Sequence, residues 1–215
     1  FIHSNSFSIV DFEDWIAVYN TYMGVELLDK KVGIVGLGEI GQRVAKVLKA
    51  LGCRILVYDP FINEDFITQY GEKVDLDRLM KESDFITIHA TSTDENDNLI
   101  DERRIKMMKK TAYIINLAKG SLLDYKALFE ALKDKTIAGA ALDVFPLEPI
   151  DEDNKFLQLD NVIVSPHMGG NTAEVIYRQS EMILRDLKEW LNKRSPINIL
   201  NPEVLKQKPQ IKLTF

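Results

Sequence analysis

Gly36-Leu37-Gly38-Glu39-Ile40-Gly41 constrains this chain more than any other stretch, because of what flanks it. Before it runs Lys31-Val32-Gly33-Ile34-Val35, a short apolar run of strand type. After it, Gln42 to Leu51 sets apolar residues at helical spacing. Eighteen residues beyond Gly41, a second apolar run, Arg54 to Tyr58, ends at Asp59. A lone glycine turn is weak. A glycine turn between strand and helix, followed by a delayed acidic residue, is the pattern of a dinucleotide site.

Each residue has its own physical task. Gly36 permits the tight turn out of the strand. Gly38 carries no side chain to hold a pyrophosphate away from the backbone, and Gly41 lets the helix lie close to the sheet. The helix start, at Glu39 and Ile40, offers unpaired N–H groups and a positive dipole end. Asp59 is suited to accept hydrogen bonds from ribose hydroxyls and would repel a 2′-phosphate, which favours NAD over NADP. The bland alternative is a glycine-rich turn that binds nothing, with Asp59 a plain turn residue before Pro60.

Composition narrows the partners. A net charge of −6 and the lack of a basic stripe argue against nucleic acid. No apolar run is long enough to span a bilayer, so no membrane partner is expected. Cys53 is the only cysteine, which excludes an intrachain disulfide and a cysteine-based metal cluster. It reads as a small buried hydrophobe in a reducing, cytoplasmic compartment. The chain opens on Phe1 with no signal-peptide pattern, as expected of a fragment or a processed form.

After about residue 30, strand-like and helix-like runs alternate. Strands are expected at 32–35, 54–58, 85–89, 112–117, 137–144 and 162–165. Helices are expected at 40–51, 76–81, 101–108 and 125–133. The strands are apolar almost throughout, as in parallel strands buried on both faces. The fold class is therefore α/β, a Rossmann-type doubly wound parallel sheet. Gly71-Glu72 and the polar stretch Thr91–Asn98 read as ordinary loops. Residues 1–28, with Trp15, Tyr19, Tyr22 and Met23, form a connecting arm or a remnant of a substrate domain. Residues 29–170 form the nucleotide domain. A long amphipathic helix follows within 171–194, capped by Asn171-Thr172-Ala173-Glu174, and 195–215 form an irregular tail.

Three more segments stand where strands end, the place ligands occupy in open α/β sheets. They are Ile115-Asn116-Leu117-Ala118-Lys119-Gly120, then Ala141 to Pro149 with Asp143 and Glu148-Pro149, then Ser165-Pro166-His167-Met168-Gly169-Gly170. With the glycine turn and the closing Asn201-Pro202-Glu203-Val204-Leu205, they make the chain resemble the D-isomer-specific 2-hydroxyacid dehydrogenases, from about Gly24 to Leu205.

The resemblance implies NAD as cofactor and hydride transfer between it and a small 2-oxo/2-hydroxy acid. It implies that His167 is the acid–base group and that Glu148 hydrogen-bonds and orients its imidazole. Asp143 falls near the nicotinamide carboxamide. His89 and Gly169 join Gly36, Gly38, Glu39, Ile40, Gly41 and Asp59 in the cofactor set. The arm residues Trp15, Tyr19 and Tyr22 are expected to pair two copies in a homodimer, or else to fold onto their own domain. Read alone, His167 is equally a turn histidine satisfied by a carbonyl, and Glu148 a solvated loop charge.

Two departures set a rival reading beside this one. Lys119 stands where the resemblance expects an arginine that clasps the substrate carboxylate. Arginine offers a planar fork, lysine one compact and strongly hydrated charge. The lobe that closes over the nicotinamide in the family is expected to be absent here or reduced to a stub. The rival is an NAD(H)-binding module, catalytically weakened, that acts as a redox sensor or scaffold. A smaller departure is Thr91, where a proline is expected two residues after His89, so that loop is set by other means.

Overall fold

The computed structural model describes residues 12–21, 23–199 and 201–203. Expectations placed on residues 1–11, on Tyr22 and on 204–215 lie outside the described residues. Two compact units divide at Pro166/His167, and each is described by itself.

Seven strands build the first unit: β1 (Lys31–Val35), β2 (Arg54–Tyr58), β3 (Glu72–Lys73), β4 (Phe85–Ile88), β5 (Tyr113–Asn116), β6 (Gly139–Leu142) and β7 (Val162–Val164). Its helices are α1 (Phe12–Thr21), α2 (Glu39–Ala50), α3 (Glu64–Ile67), α4 (Leu76–Glu82), α5 (Glu102–Ile105) and α6 (Tyr125–Lys133). The strands form one sheet in the order β3-β2-β1-β4-β5-β6-β7, and every neighbouring pair is parallel. This is the expected doubly wound fold. The order reverses between β1 and β4, whose registers bring Val35 level with Ile88 on one side and with Tyr58 of β2 on the other.

Strand alternation explains why the sequence is apolar without a break. Val32 and Ile34 of β1, with Ile55 and Val57 of β2, join Leu37, Ala45 and Ile67 in one buried cluster. Val35 and Leu56 point the other way and join Leu79, Met80, Ile86, Ile114, Leu128 and Leu132 in a second. Thus α2 and α3 cover one face, while α4 and α6 cover the other, and each strand needs apolar residues at both parities.

Local chemistry sets the helix starts. Asn63, Asp75, Asp101 and Asp124 each accept the backbone N–H three residues on, capping α3, α4, α5 and α6. Two expectations need correction. The helix expected at 101–108 stops at Ile105, because Met107 and Met108 bond back three residues, not four, in a tightening turn. Gly71-Glu72 is no ordinary loop: Glu72 opens β3, an edge strand of two residues too short and polar to show a pattern.

Gly33 in β1 lies beneath α4. A Cβ there would sit 2.5 Å from Ser83 Oγ and 2.7 Å from Leu79 Cγ, both in fully buried residues. Gly33→Ala is therefore expected to destabilise the fold by about 1–3 kcal/mol through overpacking. Urea unfolding should show a lower midpoint with an unchanged slope. An unchanged midpoint would contradict this account of the β1–α4 contact.

Candidate functional site

The three turn glycines answer to three different constraints. Gly36 has φ +91°, and a Cβ on it would lie 2.6 Å from the Ala90 nitrogen, on the chain leaving β4. A Cβ on Gly41 would collide with the carbonyl oxygen of Gly36, so the first turn of α2 rests directly on the loop. Gly38 differs. Its backbone, at φ −68° and ψ −168°, suits any residue, and nothing lies within 4 Å of a Cβ built there. Neither its conformation nor its neighbours require glycine, which leaves the space itself as the reason. Gly38 is also the N-cap of α2, with no side-chain cap. The first amides of α2 therefore have no intrahelical acceptor, and an open cradle beside them fits a pyrophosphate.

Asp59 stands at the end of β2, as expected, but it is already engaged. Its Oδ2 accepts the Leu37 N–H of the glycine turn at 2.9 Å. Its Oδ1 accepts the N–H groups of Phe61 and Ile62 at 2.9 and 3.3 Å. A carboxylate has about four acceptor positions, so a ribose hydroxyl finds the remaining one on Oδ2 or displaces Leu37. A cavity of about 350 Å³ opens here at the β1/β4 reversal, lined among others by Gly36, Gly38, Asp59, Phe61 and His89. Phe61 is 95% exposed at its rim. His89 is half-buried, its Nε2 is 2.9 Å from Thr87 Oγ1, and burial lowers its pKa, so the imidazole is neutral near pH 7. Ile40, 65% exposed, and Glu39, 3.7 Å from Arg43, flank the helix start. A larger cavity, about 540 Å³, lies between α5 and α6. It has no glycine turn and mixes Glu102, Lys106, Lys126 and Glu130, so the smaller one suits a dinucleotide better.

Farther along the same sheet edge, the loops after β5 and β6 are joined through residues that sequence reasoning passed over. Asn116, fully buried, donates through Nδ2 to the Lys119 carbonyl at 2.9 Å and accepts the Ala118 N–H at 3.0 Å. The same Nδ2 is 3.4 Å from the Tyr125 hydroxyl, which donates to the Val144 carbonyl. Burial pushes the Tyr125 phenol above its ordinary pKa, keeping that donor protonated. A Cβ on Gly120 would strike the Phe145–Pro146 peptide. Glu148 Oε1 accepts the Phe145 N–H at 2.8 Å, and buried Asp143 accepts the Ser165 hydroxyl at 2.6 Å. Lys119, Asp143 and Glu148 therefore sit on one stitched edge. The only signal for Asn116 was a polar residue closing an apolar strand. Nothing local marked Tyr125.

His167 and Gly169 belong to the second unit. His167 has a left-handed φ of +49°, uncommon for a residue with a Cβ, and the Met168 carbonyl accepts the Asn171 N–H at 2.9 Å. The long helix α7 runs Ala173–Leu191, close to expectation, but Thr172 caps it without a side-chain hydrogen bond. Asp186 accepts the Ile197 and Asn198 N–H groups and the Asn198 amide. The Asn198 amide does most to hold the Asp186 carboxyl below its usual range.

The chain matches the model of the D-isomer specific 2-hydroxyacid dehydrogenase NAD-binding domain over residues 8–169. It is 41% identical to a glyoxylate reductase of Korarchaeum cryptofilum over 188 residues, covering 87% of this chain and 57% of that protein. It is 44% identical to a D-3-phosphoglycerate dehydrogenase of Synechocystis over 200 residues, covering 89% of this chain and 36% of that protein. The NAD-complexed D-isomer specific 2-hydroxyacid dehydrogenase from Lactobacillus delbrueckii superposes with a TM-score of 0.77 at 32% identity, over 84% of this chain and 59% of that one. The chain thus spans roughly a third to three-fifths of the length of these relatives.

The three glycines separate ligand from fold. Gly38→Ala is expected to leave thermal stability unchanged while weakening NADH binding about tenfold or more, roughly 1.4 kcal/mol. Gly41→Ala should lower stability itself. Equal NADH affinity in Gly38→Ala, measured by calorimetry, would remove the phosphate cradle from Gly38.

Proposed function

The chain belongs to the D-isomer specific 2-hydroxyacid dehydrogenase family through its NAD-binding domain, and we propose that the protein transfers a hydride between nicotinamide and a small 2-oxo/2-hydroxy acid. Family membership carries the reaction class, and the vacant position at Gly38 supports the cofactor's seat. Bound NADH supplies the hydride. His167 gives the carbonyl oxygen its proton in reduction and takes it back in oxidation. The resemblance to the family assigns Glu148, whose carboxylate accepts the Phe145 amide, as the carboxylate that orients the imidazole. Asp143 and Gly169 serve the nicotinamide end, while His89, Glu39 and Ile40 line the approach. Asp59 selects NADH over NADPH by charge.

Lys119 holds the substrate carboxylate in this reading, with its main chain fixed by Asn116. As a single strongly hydrated charge it orients a carboxylate less well than arginine. That substitution favours the second reading, a weakened NAD(H)-binding module that senses or scaffolds. Among the described residues, no helix is long and apolar enough to cross a membrane. The proposed compartment is the cytoplasm, where one buried free cysteine stays reduced. The proposed assembly is a homodimer. Trp15 and Tyr19 stack at 5.4 Å yet stay 45% and 57% exposed on α1, and a two-fold contact would bury them.

The test is NADH oxidation with a panel of 2-oxo acids, run on this chain and on a longer form carrying a second lobe. Turnover is expected in the longer form, with NADH and not NADPH. His167→Asn should cost about 100-fold or more in turnover with NADH affinity preserved. A His167→Asn enzyme of normal rate would sink the assignment. Absence of turnover with every 2-oxo acid, despite tight NADH binding, would favour the sensor reading.

A further inference from the structure

The stretch leaving β4 lines the dinucleotide cavity with Thr91, Thr93 and Asn96. It was expected to be an ordinary loop, and its only regular element is one 3-10 turn, Asp94–Asn96. One side chain spans it. Asn96 Oδ1 accepts the Thr93 N–H at 2.8 Å, and Asn96 Nδ2 donates to the Thr91 carbonyl at 2.8 Å. The Thr93 side chain returns the contact by accepting the Asn96 backbone N–H. A primary amide both donates and accepts, so Asn96 closes on the main chain at two points and fixes the curve between them. Other tethers lie toward the ends of the stretch: Ser92 Oγ is 2.7 Å from Ser121 Oγ, and the Asn98 N–H donates to the Ser121 carbonyl at 2.7 Å. Between them, the shape of the cavity wall depends on Asn96.

We propose that Asn96 is a positioning residue for the dinucleotide. It preforms part of the wall of the cavity that Asp59 also lines, so that binding the adenosine half does not bear the entropy of ordering residues 91–96. This rests on the reading of that cavity as the NAD site. The role is to shape the loop and not to touch the ligand, and that difference can be tested. Thr91 makes no hydrogen bond through its N–H among the described residues, so proline there removes no bond and stiffens the unbound loop by fixing φ.

The experiment is calorimetric titration of the chain with NADH and with ADP-ribose, alongside thermal unfolding. Asn96→Ala is expected to weaken both ligands about tenfold with little change in Tm. Adding Thr91→Pro to Asn96→Ala is expected to restore most of the affinity. If wild-type chain fails to bind NADH, the cavity reading falls and this proposal with it. If wild type binds and Asn96→Ala binds equally well, only the proposal falls. A folded double variant that stays as weak as Asn96→Ala also overturns it, because the loss would then be one of direct contact. Should the double variant not fold, amide exchange across residues 91–98 in Asn96→Ala decides. Faster exchange supports the preformed loop, and unchanged protection overturns it.

Discussion

Three backbones meet at one point of this molecule, and the site depends on their contact. The turn at Gly36 touches the chain leaving β4 at Ala90 and the first turn of α2 at Gly41, with no side chain between them. The connections that leave the paired strands β1 and β4 run to opposite sides of the sheet because the strand order reverses, and a crevice forms at such a point outside the carboxyl ends. Close approach sets the first turn of α2 directly against the glycine turn, and its start carries no side-chain cap. A Cβ at position 36 or 41 would force the backbones apart. A Cβ at 38 would meet nothing within 4 Å and spare the fold.

Asp59 ties this junction to the second strand. Its carboxylate holds the glycine turn through Leu37 and shapes its own turn through Phe61 and Ile62. The residue proposed to read the ribose is thus also a brace for the loop proposed to seat the phosphates. The edge beyond β4 is built likewise, one loop supporting the next. Ser92 meets Ser121, Asn116 holds Lys119, and Tyr125 reaches Val144. Loops usually vary and move. Here buried or half-buried polar groups hold them, Asn116 within its own loop and Ser92 and Tyr125 across to the loop of the next strand.

The fold was legible because its rules are local. The runs at 54–58 and 125–133 became β2 and α6 with those same ends, since apolar parity and helical spacing are carried by adjacent residues. Where the sequence misled, tertiary context decided. The two residues of β3 pair with β2 just after Gly71, whose backbone lies against Ile55 with no room for a Cβ. The helix at 102–105 ends in tight turns that its periodicity does not announce. The glycine turn, Asp59 and His89 were readable as a set and share one cavity. Asn116, Tyr125 and Asn96 were not, because a buried amide or phenol signals nothing until its partner is known. The partner of Tyr125 lies nineteen residues away.

On the reading proposed above, this chain holds NAD at the β1/β4 reversal by its own residues. Backbone amide shifts recorded during NADH titration test it most directly. Saturable shifts concentrated at residues 36–41, 59–62 and 89–96 are expected. Shifts centred on the larger cavity between α5 and α6, or no shifts at millimolar NADH, would contradict it.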